Sequence, residues 1–190
     1  MTVRIEVQEA TLASLDAAEA DALALFVGPE RPLQGLAGLA DWRLAGAISR
    51  ALRAGHYRGG PGEQLLVPSQ GRLRLPRVFC FGVAEPPGGE TAFREVAYRA
   101  LDALLRAGSR VHAVALPPAR QMAPATVARL WLEATLRFPP ERQILLGDAA
   151  ALRRDLRAAV DALGADVELA AGPAAPRAGS SLPGSAGATR

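Results

Sequence analysis

Lysine and asparagine are missing from this chain, and cysteine occurs once, as Cys80. A single cysteine excludes an internal disulfide framework and a zinc site built from the cysteines of one chain. Without lysine, no phosphate loop can end in Gly-Lys-Ser/Thr, and a Gly-x-Gly-x-x-Gly fingerprint after a strand is absent too. The two histidines, His56 and His112, form neither a His-x-x-x-His nor a His–carboxylate spacing, so no metal site is expected. No apolar run is long enough to cross a bilayer, and Met1 to Ala10 alternates charged and apolar residues instead of forming a signal peptide. The expectation is a soluble, cytoplasmic protein with no membrane contact.

What is present fits one domain. Of 190 residues, 49% are hydrophobic and 22% charged, enough to bury a core and too apolar for a disordered chain. All 22 basic residues are arginine, which raises the computed pI to about 9.9 although the net charge is only +3. The arginine-only complement, with abundant Ala, Gly and Pro, reads as the codon bias of a GC-rich genome. Nucleic-acid binding needs clustered cations, and Arg177 and Arg190 leave the remainder close to neutral, so a nucleic-acid partner is not expected.

Apolar runs alternate with amphipathic segments along the chain. Val3, Ile5 and Val7 alternate with polar residues, the period of a half-buried strand, and Asp21 to Val27 reads as a central buried strand. Ala37, Ala40, Leu44, Ile48, Ala51 and Leu52 predict one helix, stopped at Gly55. Gln64–Val67 and Leu75–Val83 predict a strand pair joined through Pro68-Ser69-Gln70-Gly71. A helix from Phe93 to Leu105 carries the acid–base pairs Glu90–Arg94, Glu95–Arg99 and Asp102–Arg106 at i,i+4, read as solvated support. Further strands are expected at Arg110–Leu116, Gln143–Leu146 and Asp166–Ala170. A helix opening on Pro124 separates the first two, and one capped by Asp148 and ended by Gly164 separates the last two. This succession predicts an α/β fold with a mixed, mostly parallel sheet flanked by helices over residues 1–170. Residues 171–190, rich in Ala, Gly, Pro and Ser, are expected to form a flexible tail.

Few residues invite chemistry. Cys80 sits inside Val78-Phe79-Cys80-Phe81 and reads as core, and His112 reads as a residue of a helix-covered sheet face. Gly59-Gly60-Pro61-Gly62-Glu63 reads as a tight turn feeding the next strand. The remaining candidates are the loops after strands, where open α/β sheets receive ligands on backbone N–H groups and helix N-termini: Gly28, Gly82, and Gly147 with Asp148. No catalytic residue and no cofactor are expected.

The order Asp21-Ala-Leu-Ala-Leu-Phe-Val, a helical Gly46–Leu52, His56-Tyr57-Arg58-Gly59-Gly60-Pro61-Gly62-Glu63, and Arg77-Val78-Phe79-Cys80-Phe81-Gly82-Val83 before Phe93-Arg94 resembles the N-terminal domain of leucyl aminopeptidases. Tyr57 departs from the phenylalanine common there, and Val83-Ala84 from a second glycine. The resemblance implies a three-layer α/β/α macro-like domain, an accessory to a separate dinuclear metallopeptidase domain whose catalytic lysines this chain lacks. It therefore implies a non-catalytic accessory or protein-interaction domain that self-associates or joins a full-length aminopeptidase. The macro-like fold raises an alternative, a nucleotide or ADP-ribose-type binding module, although the asparagine-rich loop of such modules has no counterpart here. A third reading, an enzyme built on Cys80, needs a base beside the thiol.

Overall fold

The computed structural model describes residues 2–29, 31–83, 88–119 and 121–172. Its strands are β1 (Val3–Glu9), β2 (Ala22–Val27), β3 (Gln64–Pro68), β4 (Arg77–Gly82), β5 (Val111–Val114), β6 (Arg142–Gly147) and β7 (Val167–Ala171). They form one seven-stranded sheet in the order β3-β4-β2-β5-β6-β1-β7. Every pairing is parallel except β3 with β4, which run antiparallel with Leu65 opposite Cys80 and Val67 opposite Val78. The sheet is thus mixed and mostly parallel, as the succession of runs predicts. From residue 173 onward the expected tail lies outside the described residues, as does the Pro86-Pro87 part of the loop after β4.

Helices α1 (Leu12–Ala17), α2 (Gly35–Arg43) and α3 (Ala47–Arg53) pack on one face of the sheet; α4 (Glu90–Arg106), α5 (Pro124–Arg137) and α6 (Ala149–Leu163) cover the other. The period-2 geometry of a strand sends alternate side chains into the two cores. Leu23, Leu25, Val78 and Cys80 meet Leu36, Ile48 and Leu52 on the first face, and Ala24, Phe79 and Phe81 meet Phe93, Leu101 and Trp131 on the second. Each large apolar side chain so buried contributes about 1.5–3 kcal/mol relative to exposure. Three layers around two cores result.

Several buried polar residues are joined in one hydrogen-bonded chain. The indole N–H of Trp131 donates to Oε1 of Gln143 at 2.8 Å, which turns the amide Nε2 toward His112 Nε2 at 3.0 Å. The Thr135 hydroxyl donates to the Trp131 carbonyl. This chain of bonds ties α5 to β6 and β5. His112 lies on the helix-covered face, as expected, and burial pushes its imidazole down to about 4, so the ring is neutral.

Three expectations need correction. The β1 strand is not half-buried: it lies between β6 and β7, and Glu6 and Gln8 on its second face are buried as well. Glu6 is accommodated by Arg4 at 3.3 Å and Arg142 at 3.2 Å. The single helix predicted from Ala37 to Leu52 is two helices, because Ala45 (φ 52°) and Gly46 (φ 78°) adopt the left-handed conformation. Asp41 of α2 then caps α3, its Oδ1 accepting from the Ile48 N–H at 2.9 Å and the Ser49 N–H at 3.1 Å. Finally, one of the α4 arginines, Arg94, does more than brace its own helix. Arg94 bridges Glu90 and Glu133, and Arg129 of α5 reaches Glu90 as well as Glu133, so the charges cross-link α4 and α5.

Candidate functional site

The carboxyl ends of the central strands open onto a cleft made of two adjoining cavities. One, of about 340 Å³, is bounded by Val27-Gly28 after β2, by Val83, and by Leu33 to Ala37 at the start of α2. The other, of about 500 Å³, is bounded by Gly147-Asp148 after β6, by Met122 and Val127, and by Leu152 and Asp155 of α6. Leu36, Ala115 and Leu116 line both. Parallel strands whose helices return behind them leave this crevice at their carboxyl ends as a consequence of topology.

The two ends of the cleft differ electrostatically. At the first cavity α2 begins without a side-chain cap: Gln34 occupies the N-cap position, but its amide donates to the Pro32 carbonyl. Among the described residues no side chain accepts from the first-turn N–H groups of α2, the positive end of the helix dipole. At the second cavity the start of α6 is already occupied by carboxylates. Asp148 Oδ1 accepts from the Ala151 N–H at 2.9 Å, and Glu9 Oε1 from the Ala149 N–H at 3.1 Å. Asp155, buried on the same helix, is paired with Arg154 at 2.9 Å. Between these ends the described lining is mostly apolar, a surface for an elongated, largely apolar body.

The four loop residues singled out in the sequence are not all brought together. Gly28 lines the first cavity, and Gly147 and Asp148 line the second. Gly82 is not among the described lining residues. A Cβ there would fall 1.9 Å from the Gly60 carbonyl oxygen, so glycine is required for close packing of two backbones. The Gly59–Glu63 segment closes over this contact. A Cβ at Gly59, which has φ +74°, would lie 2.8 Å from the Val27 carbonyl oxygen, and Glu63 folds back to accept from the Arg58 N–H at 2.8 Å and the Gly60 N–H at 3.1 Å. Those backbone donors hold the Glu63 carboxyl below the ordinary carboxylate range. Tyr57 completes the unit, its hydroxyl donating to the Val27 carbonyl at 3.4 Å. The Gly59–Glu63 part of the resembling segments is thus a single turn fastened to the ends of β2 and β4, the tight turn expected.

Sequence reading missed the first turn of α2 and Asp155. A glutamine and a glycine ahead of an apolar stripe give no capping signal, so no local pattern marks this helix start. Asp155 sits among charged neighbours on α6, where only the fold separates a cleft-facing carboxylate from a solvated one.

The chain's reactive groups lie away from this cleft. Cys80 is buried on the α2–α3 side, and burial pushes its thiol up to about 12. His56 is exposed just beyond α3. Among the described residues no group of three or more His, Cys, Asp or Glu side chains is placed to hold a metal ion. Nor is any described helix long and apolar enough to cross a membrane.

No family model matches the sequence. No curated protein matches it either. Solved structures do. A macrodomain mutant from Oceanobacillus iheyensis solved with ADPR is similar at a TM-score of 0.64 and 12% identity, covering 84% of this chain and 91% of that one. The macrodomain of Mycobacterium tuberculosis DarG is similar at 0.59 and 12%, covering 75% and 97%. A tomato leucine aminopeptidase mutant is similar at 0.56 and 17%, covering 83% of this chain. The present chain spans 35% of that aminopeptidase's length. At these identities the similarity establishes the fold: a macrodomain-like α/β domain.

Proposed function

We propose that this chain is a non-catalytic accessory or interaction domain of the leucyl aminopeptidase N-terminal type, associating with itself or with a full-length aminopeptidase. The observation that carries the reading is the disposition of its reactive groups. The lone thiol and His112 are sealed in the core, and the described cleft lining pairs no nucleophile with a base. The way Tyr57, Gly59, Gly60 and Glu63 lock onto Val27 and Gly82 adds support, because it gives a structural reason for the glycines and the glutamate of the resembling His56–Glu63 segment. Sedimentation velocity of the chain alone, and mixed with a full-length leucyl aminopeptidase, tests it. A species heavier than the components is expected in at least one run, and a strict monomer with no complex in both runs overturns the reading.

A second reading, a nucleotide or ADP-ribose-type binding module, is favoured by the uncapped start of α2 beside Gly28. Its first-turn N–H groups, uncapped by any described side chain, offer a place for a phosphate, with Gly147 and Asp148 at the far end of the same cleft. Calorimetric titration with ADP-ribose and nucleotides decides it: saturable heat supports the module, and no heat at millimolar ligand removes it.

A further inference from the structure

The β3 strand is the last in the sheet, and among the described residues no strand pairs with its outer side, which has a specific hydrogen-bonding pattern. The Gly82 N–H donates to the Glu63 carbonyl at 2.8 Å, and the Ser69 N–H to the Pro76 carbonyl at 2.9 Å. These bonds fix the phase of the antiparallel ladder, so Leu65 and Val67 point their backbone groups at β4. Gln64, Leu66 and Pro68 point theirs away from the sheet. At the opposite edge β7 carries Glu168, a charge of the kind that blocks edge pairing, whereas Gln64-Leu65-Leu66-Val67-Pro68 carries none. Leu66 is 53% exposed and lies opposite Phe79, which stacks on Phe81 on the α4–α6 face. The apolar row of the core therefore runs out to the edge.

We propose that this edge is a self-association surface, on which the β3 strand of a second copy pairs antiparallel about a twofold axis through Leu66. The proposal rests on the interaction reading above and names its partner and surface. The strand is complementary to itself. With Leu66 opposite Leu66 of the second copy, the two residues exchange both backbone bonds, and each Gln64 N–H meets a Pro68 carbonyl. The one group Pro68 lacks, an N–H, falls opposite the Gln64 carbonyl, so proline removes a bond without blocking the register. Directly opposed residues share a face, so the two Leu66 side chains pack together and join the Phe79 rows of both copies. Such a pairing is isologous and closes as a dimer.

Sedimentation equilibrium on the full chain over a wide concentration range, with Leu66→Lys and Gln64→Pro beside the wild type, tests the proposal. Both changes act on the outward side of β3, and circular dichroism and thermal melting check that each variant keeps the fold. The wild type is expected to reach twice its 19.8 kDa mass, and both variants to stay at the mass of one chain. Amide hydrogen exchange adds a second readout: Gln64 and Leu66 gain protection as the wild type is concentrated, while Leu65 and Val67 are protected throughout. A wild type that remains monomeric at every concentration overturns the edge pairing, and so does one that associates only with an aminopeptidase. A dimer that survives in both variants overturns this placement while leaving self-association standing.

Discussion

At the scale of single residues, packing and protonation carry the sharpest consequences. His112 is neutral in the folded chain because burial has lowered its pKa from 6.5 to about 4. Between those values the unfolded chain binds a proton that the folded chain does not, so stability is present in full above pH 6.5 and declines as the pH falls toward 4. The decline is on the order of 3–4 kcal/mol, from roughly 1.4 kcal/mol per unit over the interval from 6.5 to about 4. Urea unfolding across this range should show it, and His112→Gln should flatten the curve there. Below that window Asp21 and Glu63 take over. Backbone donors from Val111 and Arg110 hold the Asp21 carboxyl below its ordinary value, as those from Arg58 and Gly60 hold Glu63, so their stabilisation is lost only at more acid pH. Glycine gives a contrast of the same kind. Gly82→Ala drives a methyl into the Gly60 carbonyl and should cost about 1–3 kcal/mol or more. Gly88→Ala, with nothing within 4 Å, should leave the urea midpoint unchanged.

At the scale of elements, what holds α3 in place is a residue of another helix. Asp41 is buried and supplies the cap that Gly46 at the N-cap position cannot, so Asp41→Ala should destabilise the fold by about 1–2 kcal/mol in urea titrations. The Arg94–Glu90–Arg129–Glu133 network differs in kind. Its side chains remain partly exposed, so a double-mutant cycle between Arg129 and Glu133 should give under about 1 kcal/mol, shrinking with added salt. These cases also explain what was legible in the sequence. The β2 run, the apolar stripes of α4 to α6, Pro124 at a helix start and Asp148 as a cap are local patterns, and each is found as expected. The break at Ala45-Gly46 was hidden because the apolar spacing continues across it. The α1 helix, six residues capped by Thr11, is too short for a period to be read. The buried charge of Glu6 depends on Arg142, far away in the chain, and no local pattern announces it.

At the scale of the whole molecule, topology decides what the candidate site can be. Strand-end glycines are visible in a sequence, but only the strand order shows that Gly28, Gly147 and Asp148 border one cleft while Gly82 is closed under the Gly59–Glu63 turn. The same order leaves β3 open at one side of the sheet. Two packed cores enclose Cys80 and His112, and an uncharged strand edge faces outward; the binding role proposed above rests on that arrangement. The central claim is that the chain performs no peptide hydrolysis of its own. Release of leucine from a leucyl peptide by the purified chain, with manganese or zinc added, measures this directly. The account predicts no metal-dependent release above the buffer, and turnover that co-purifies with the chain and disappears with a chelator would contradict it.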